Sequence, residues 1–314
     1  MNYAVVVPTI REHSIKRFCE AWEMELRRPD VVVYVCEDNA DKTFELPKWI
    51  QHLCWKDAEG KDCIPTRSGG FRDIGFLRAY QDGARIIISL DDDVLPPEGM
   101  SFLASHQAML NAHRMTRWQT VVPMYHTRGF PLGIRSGVET MINHGLWEGV
   151  PDVDAVTQLS DGQFQQDFDT VMKLAMSTMT IPYRSYFPQC IMNVAFKREI
   201  TPAMYMAKLP DGMKRWDDIW CGIFAKRICD LNNWAVASGE PHVRHQRASD
   251  PLNNLKQEML GYGYNEVLWE VVDGIEATGN VVEQYYVIAE TIHRQIRGLQ
   301  EMTTNMMDWC ELWR

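Results

Sequence analysis

The 314-residue sequence predicts an α/β fold with a mixed, largely parallel central sheet and a C-terminal helical extension. Three observations carry that prediction. The chain opens as strand, helix, strand, the order of a βαβ unit, which favours parallel pairing. Arg85 leads into Ile86-Ile-Ile-Ser-Leu90, a run of buried-strand character, and the three carboxylates Asp91-Asp92-Asp93 emerge at its C-terminal end. That end of a strand is where an open α/β sheet binds ligands. Beyond Pro251 the pattern changes to helical spacing, so residues 1–250 are expected to hold the sheet and 251–314 to form helices packed on it.

Taken in order, Tyr3-Ala-Val-Val-Val7 is a short apolar strand ended by Pro8, and Ser14 is the expected N-cap of a helix running to about Arg28. Val31-Val-Val-Tyr-Val-Cys36 is a second buried strand, ending at Glu37-Asp38-Asn39. Parallel pairing puts the loops at Thr9-Ile10-Arg11 and Glu37-Asp38 on the same sheet edge as the triplet. Ser68-Gly69-Gly70 precedes a helix over Phe71–Tyr80 whose N-terminus could meet a phosphate, although a turn before an ordinary helix accounts for it equally well. The stretch from about Val121 to Thr180 is rich in Gly, Pro and turn signals, with strand-like pieces at Thr120–Val122 and Met179–Ile181. Pro188–Phe196 reads as a buried segment, and Arg215-Trp-Asp-Asp-Ile-Trp220 opens a helix through Asp230. Val281, Tyr285, Ile288, Ile292, Ile296 and Leu299 recur at spacings of three and four, one apolar helical face. Met302, Met306, Trp309 and Trp313 extend it as core or subunit contact.

Composition narrows the class. A 46% hydrophobic and 24% charged chain is ordinary for a soluble globular protein, and a net charge of -10 argues against nucleic acid or an anionic membrane as the main partner. No apolar segment approaches the roughly 20 residues needed to span a bilayer, and the chain starts directly in a strand, so a cytoplasmic protein without a membrane span is expected. A homo-oligomer is expected as well. The eight cysteines show no C-x-x-C pair and read as buried thiols.

Three adjacent carboxylates repel one another unless a cation sits among them, and hard oxygen ligands favour Mg²⁺ or Mn²⁺. An acidic triplet at the end of a middle strand, without a glycine fingerprint, suggests a GT-A-like (Rossmann-like) nucleotide-sugar-binding fold. The nearest match to a dinucleotide fingerprint, Gly261-Tyr-Gly263-Tyr-Asn-Glu266, lacks the third glycine and follows no strand, so neither flavin nor nicotinamide is expected. A metal there would neutralise a diphosphate as the sugar–phosphate bond breaks. Arg72 and Lys256 are candidate phosphate partners. His242-Val-Arg-His245 offers histidines to complete a metal site, from a turn-rich stretch able to fold back over the sheet edge. Asp217 and Asp218 either stabilise a helix dipole or hold sugar hydroxyls and move a proton.

These residues carry a resemblance to the reversibly glycosylated polypeptide family, glycosyltransferase family 75, which includes UDP-arabinopyranose mutases. Its motifs here run from Val7-Pro8-Thr9-Ile10-Arg11 through Leu90-Asp91-Asp92-Asp93, Arg128-Gly-Phe-Pro-Leu-Gly-Ile-Arg135, His144-Gly-Leu-Trp147 with Pro151-Asp-Val-Asp154, and Phe187-Pro-Gln-Cys-Ile-Met-Asn193. Pro202-Ala-Met-Tyr205, Arg215-Trp-Asp-Asp-Ile-Trp220 and His245-Gln-Arg-Ala-Ser-Asp-Pro251 complete the set. The resemblance implies a metal-dependent mutase that interconverts pyranose and furanose forms of a UDP- or GDP-linked sugar. The alternative is a transferase with a separate acceptor. It implies Mn²⁺ or Mg²⁺ on Asp91, Asp93 and His245, and substrate contacts from Thr9, Arg11, Asp38, Arg72, Asp91, Asp92, His144, Trp147, Asn193 and Lys256. It further implies Arg128 as the glycosylated residue, Arg135 as its support, and Asp217 and Asp218 as catalytic carboxylates. Glu37-Asp38-Asn39 and Gln246-Arg247 depart from the family's plant members at the expected base and phosphate contacts. A guanidinium keeps its proton to a pKa above about 12, so Arg128 would need a carboxylate to take that proton or a sugar already cation-like at its anomeric carbon.

Overall fold

The computed structural model describes residues 1–120, 125–149, 152–160, 178–245 and 250–314. The opening βαβ unit forms as expected: β1 (Tyr3–Thr9), α1 (Glu12–Leu26) and β2 (Val31–Glu37), with β1 and β2 parallel from Tyr3↔Val31 to Thr9↔Glu37. β1 runs through Pro8 rather than ending there. Its pairing with β4 (Ile86–Leu90) stops at Val6, so the missing Pro8 N–H falls where β1 has a partner on one side only. α1 starts two residues before Ser14. Arg11 takes the N-cap position with extended backbone and no side-chain cap, and Glu12 in the first turn complements the helix dipole instead. The Gly69 region forms a 3-10 turn, Gly69–Arg72, that passes into α2 (Asp73–Gln81), and Ser68 Oγ accepts the Gly70 N–H at 3.2 Å.

The strands β3 (Ile50–Leu53), β5 (Val94–Leu95), β6 (His113–Arg114), β7 (Val138–Gly149), β8 (Met179–Ile181), β9 (Asn193–Lys197) and β10 (Ala235–His245) complete the sheet. Its order is β3-β2-β1-β4-β9-β7-β10-β5, with β6 on β7 and β8 on β10. β3, β2, β1 and β4 are parallel, β9 runs antiparallel to both β4 and β7, and β7 and β10 are again parallel. Helices α3 (Phe102–Asn111) and α5 (Asp217–Leu231) pack on the sheet, and α4 (Ala155–Ser160) packs on the helix Pro251–Asp273.

The strands β7 and β10 are the main departure from the sequence expectation, which read the chain around β7 as rich in turns, put His245 in a turn-rich stretch and named no strand over 235–245. β7 buries Thr140, Asn143 and His144, so no polar–apolar alternation marks it. β10 contains Gly239 and Pro241 at a break in register between Gly239 and Val243. Side chains make good the backbone bonds lost there: Asn143 Nδ2 donates to Glu240 O and Asn193 Nδ2 to Pro241 O, each at 2.9 Å. Gly145 is required by the same crossing, because a Cβ would lie 2.6 Å from Pro241 O. Thr120 is outside any strand, and Val121 and Val122 lie outside the described residues.

At the C-terminus, α6 (Pro251–Asp273), α7 (Val281–Gln295) and α8 (Gln300–Glu311) follow. The expected continuous face is two helices, broken at Gly298, whose φ of 99° suits glycine. Met302, Met306 and Trp309 are core rather than subunit contact. Trp309 stacks on Tyr205 at 4.9 Å and donates from Nε1 to Pro202 O at 2.8 Å, within a hydrophobic cluster that also holds Ile74, Phe76 and Phe224. All eight cysteines are unbonded, and seven are buried. Among the described residues no helix is long and apolar enough to cross a membrane.

Candidate active site

The parallel strands β1, β2 and β4 end on one edge, and a cleft of about 1830 Å³ opens there, ample for a nucleotide-sized ligand. One wall carries the triplet. Asp92 is buried beneath the surface, accepting from Thr9 Oγ1 at 2.6 Å and from Arg11 Nε at 3.3 Å. Arg11 Nη2 pairs with both Asp92 and Asp93, and it lies 3.2 Å from Asp93 Oδ2. Arg72 is buried and donates to Asp91 Oδ1 at 2.7 Å, to Ser89 Oγ at 2.5 Å and to Gly69 O at 3.0 Å. Burial opposes the Arg72 charge, yet Asp91 more than offsets it, and the pKa lies above its ordinary value. Arg72 therefore orients Asp91 instead of reaching freely for a phosphate. Burial raises the pKa of Asp92 and of Asp93, with Asp91 raising Asp93 further.

Pairing of His245 with Val94 brings the end of β10 beside the triplet, and Asp91, Asp93 and His245 all line the cleft. Among the described residues, no three His, Cys, Asp or Glu side chains stand close enough to hold a metal as placed. The carboxylates are turned toward Arg72 and Arg11 instead. Two hard carboxylate donors and an imidazole nevertheless fit Mg²⁺ or Mn²⁺ in kind.

A second part of the wall is the start of α5, where Asp217 and Asp218 line the cleft. Burial, then Asp217 and Asp152, push the Asp218 carboxyl well above the usual range, and burial raises Asp217 despite Arg72. Sequence reasoning did not assign a role to Arg215, Asp152, Cys190 or Glu258, all of which line this wall. Arg215, with a left-handed φ of 65°, donates from Nε to Glu258 Oε1 at 2.9 Å and lies 4.0 Å from Asp152. Glu258, buried on α6, also accepts from Ala155 N and Tyr262 Oη at 2.9 Å each. Cys190 Sγ donates to Asp152 Oδ2 at 2.6 Å. No local pattern marks these four residues, because the contact that brings α6 to this wall, Trp216 against Gly261, joins segments far apart in the chain. Trp216 Nε1 donates to Glu258 O at 2.9 Å, and a Cβ at Gly261 would fall inside the Trp216 indole. Gly261 is thus a helix-packing glycine.

The other expected residues divide. Asp38 Oδ1 accepts from Trp55 Nε1 at 2.7 Å and from Arg67 N at 2.8 Å, which orders the Arg67 loop at the cleft mouth. His144 and Trp147 line the cleft. Asn193 does not: it is fully buried, with its amide committed to Leu146 O, Pro241 O and His106 Nε2. Lys256 is exposed on α6 and Arg128 and Arg135 are exposed on the segment before β7; none of the three lines the cleft. Gln246 and Arg247 lie outside the described residues.

Carboxylates and arginines gathered at the carboxyl ends of parallel strands define an α/β protein built to bind a charged ligand. The chain belongs to the reversibly glycosylated polypeptide family, which it matches over residues 2–314. It is 28% identical to UDP-arabinopyranose mutase 1 of Arabidopsis thaliana, over 98% of this chain and 91% of that one. It is 30% identical to probable UDP-arabinopyranose mutase 1 of Zea mays, over 98% and 89%. Among solved structures it is similar to glucosyl-3-phosphoglycerate synthase of Mycobacterium tuberculosis in complex with Mn²⁺ and uridine-diphosphate-glucose. That likeness has a TM-score of 0.43 and 14% identity, covering 88% of this chain and 81% of that one.

Proposed function

We propose that the protein is a metal-dependent mutase that interconverts the pyranose and furanose forms of a UDP-linked sugar on a GT-A-type sheet. The observation that carries this reading is the pair of carboxylate walls facing one cleft in a chain that aligns along nearly its whole length with relatives named UDP-arabinopyranose mutase. Mn²⁺ or Mg²⁺ held by Asp91, Asp93 and His245 would supply positive charge opposite the diphosphate. The rest of the work falls to side chains. Arg11 and Arg72 hold the triplet in place and screen its charges from an anionic ligand. Asp218, which keeps a proton more readily than an ordinary aspartate, and Asp217 beside it are placed to give and take protons on sugar hydroxyls.

Chemical balance sets the order of events. The bond from C1 to the diphosphate breaks first, because the ring oxygen cannot be exchanged while C1 holds both. The ring opens, a different hydroxyl attacks C1 and loses its proton, the former ring oxygen gains one, and the same diphosphate recaptures C1. In this reading a guanidine nitrogen of Arg128 bonds C1 as the diphosphate leaves and gives its proton to a carboxylate, stays on C1 while the ring opens and recloses, and takes the proton back when the diphosphate recaptures C1 and the C1–N bond breaks; Arg135 supports it. Both are exposed and neither lines the cleft, so this step is the part of the reading that the geometry supports least.

The test is to incubate the purified protein with UDP-arabinopyranose and Mn²⁺, without any acceptor, and to separate the nucleotide products. A new isomer of equal mass, abolished by a chelator, is the expected result. Turnover that needs an added acceptor would make the protein a transferase. Arg128→Lys keeps the charge and loses the guanidine nitrogens, so it is expected to take no label from radiolabelled sugar nucleotide and to lose interconversion. Interconversion at the normal rate by that variant would remove the glycosyl-arginine step.

A further inference from the structure

Two residues of the cleft wall carry a buried polar atom with no hydrogen-bond partner, His144 Nε2 and Trp147 Nε1. Folded proteins leave few such atoms, and one in a cleft wall points to something that binds there. The geometry around His144 excludes a casual vacancy. His144 on β7 and Ser238 on β10 are register partners, and Ser238 Oγ lies 3.0 Å from Nδ1, which leaves Nε2 as the one ring nitrogen without a bond. Phe187 and Trp147 meet the imidazole ring edge-on at centroid distances of 5.0 and 5.8 Å, so it has no room to turn toward another partner.

The chemistry of this corner differs from the rest of the cleft. Burial holds the His144 pKa down to about 4, so the ring is neutral at neutral pH and brings no positive charge to a diphosphate. A neutral imidazole exchanges one hydrogen bond with a hydroxyl in either direction, and an indole N–H donates to one. Aromatic surfaces beside uncharged hydrogen-bonding atoms suit a sugar ring, whereas the arginine-rich triplet wall suits the charged phosphates. We infer that the corner formed by His144, Trp147 and Phe187 is the sugar subsite, where His144 Nε2 and Trp147 Nε1 bond ring hydroxyls while the nucleoside diphosphate lies along the triplet. This rests on the nucleotide-sugar reading of the cleft.

The two are separable by calorimetric titration with two probes, uridine diphosphate and UDP-arabinopyranose, each with Mn²⁺, on the wild-type protein and on His144→Phe, His144→Gln and Trp147→Phe. His144→Phe is expected to bind uridine diphosphate within about twofold of wild type and the sugar nucleotide roughly 10-fold more weakly, the size of one lost bond that leaves a hydroxyl unpaired. His144→Gln, neutral and able to donate, should recover part of that loss, and Trp147→Phe should show the same selective pattern. Equal weakening of both probes in the histidine variants, or no weakening of either, overturns the subsite. Wild-type protein that binds both probes but makes no isomer would overturn the mutase reading and leave the selective loss to decide the subsite. Wild-type protein that binds neither probe removes both.

Discussion

Asp91, Asp92 and Asp93 end β4 among two arginines, whereas Asp217 and Asp218 begin α5 with Arg215 nearby but already paired to Glu258. Both walls are desolvated. On the triplet wall guanidinium groups contact each carboxylate directly, which orients it and opposes the upward push of burial at Asp92 and Asp93. On the helix wall Asp218 has neighbouring carboxylates and one backbone donor, Ile219 N, and it retains a proton more readily. The difference teaches how one cleft supports two kinds of chemistry. Carboxylates held directly by arginines are fixed in orientation, whereas Asp218, with no such contact, is pushed furthest toward its protonated form; the proposed function gives the first group binding and the second proton transfer.

The largest expected effect comes from breaking the binding wall. Asp93→Ala should lower isomer formation about 1000-fold or more while the thermal transition stays cooperative, because the diphosphate loses the site of its counter-cation. Activity within tenfold of wild type would show that the triplet is scaffolding. Asp218→Asn addresses the other wall. Loss of a proton-transfer group should cost roughly 100- to 1000-fold in turnover with little change in uridine diphosphate binding.

The same variant has a stability signature whose sign follows from linkage. The folded-state pKa of Asp218 is raised, so between the unfolded and folded values the native protein holds a proton the unfolded chain has released. Stability from this group is therefore present at lower pH and is lost as pH rises through the folded pKa. Asp218→Asn should flatten the fall in melting temperature on the alkaline side and raise it by roughly 1–3 °C at pH 8. A variant that melts lower than wild type at pH 8 would mean that Asp218 is charged and well paired.

Arg11→Ala sharpens the comparison from the compensating side. It leaves Asp92 buried with Thr9 alone and should destabilise the protein by about 3 kcal/mol in urea unfolding, with Arg11→Lys recovering part. An unchanged midpoint would show that Thr9 and water suffice. The smallest effect is expected at Lys256, exposed and outside both walls, where Lys256→Ala should change turnover less than about twofold. A larger loss in the isomer assay would return this residue to the phosphate site.

How much was legible depended on the distance over which the information acts. The βαβ opening, β4 and the triplet are local: apolar runs and the residues that follow them lie side by side in the chain, and the parallel rule carries them to one edge. The start of α5 was legible for the same reason. β7 and β10 were not, since Asn143 of β7 finds its partner in Glu240 O and the Pro241 carbonyl of β10 finds its partner in Asn193 of β9, all far apart in sequence, and no local pattern marks the strands until those partners are in place. Asn193 stood within a functional motif, yet the fold spends its amide on that crossing.

By itself, then, the chain determined an α/β sheet, an acidic strand end, a second acidic helix start and a buried C-terminal helical face, because periodicity and adjacency encode them. Tertiary structure decided which arginines serve those carboxylates, that Glu258 of α6 reaches back to hold Arg215, that His245 ends a strand beside the triplet, and that Arg128 and Arg135 stand outside the cleft. Those outcomes depend on register and packing between segments as far apart in the chain as Val94 and His245, where desolvation and pairing, and not local propensity, set the energies.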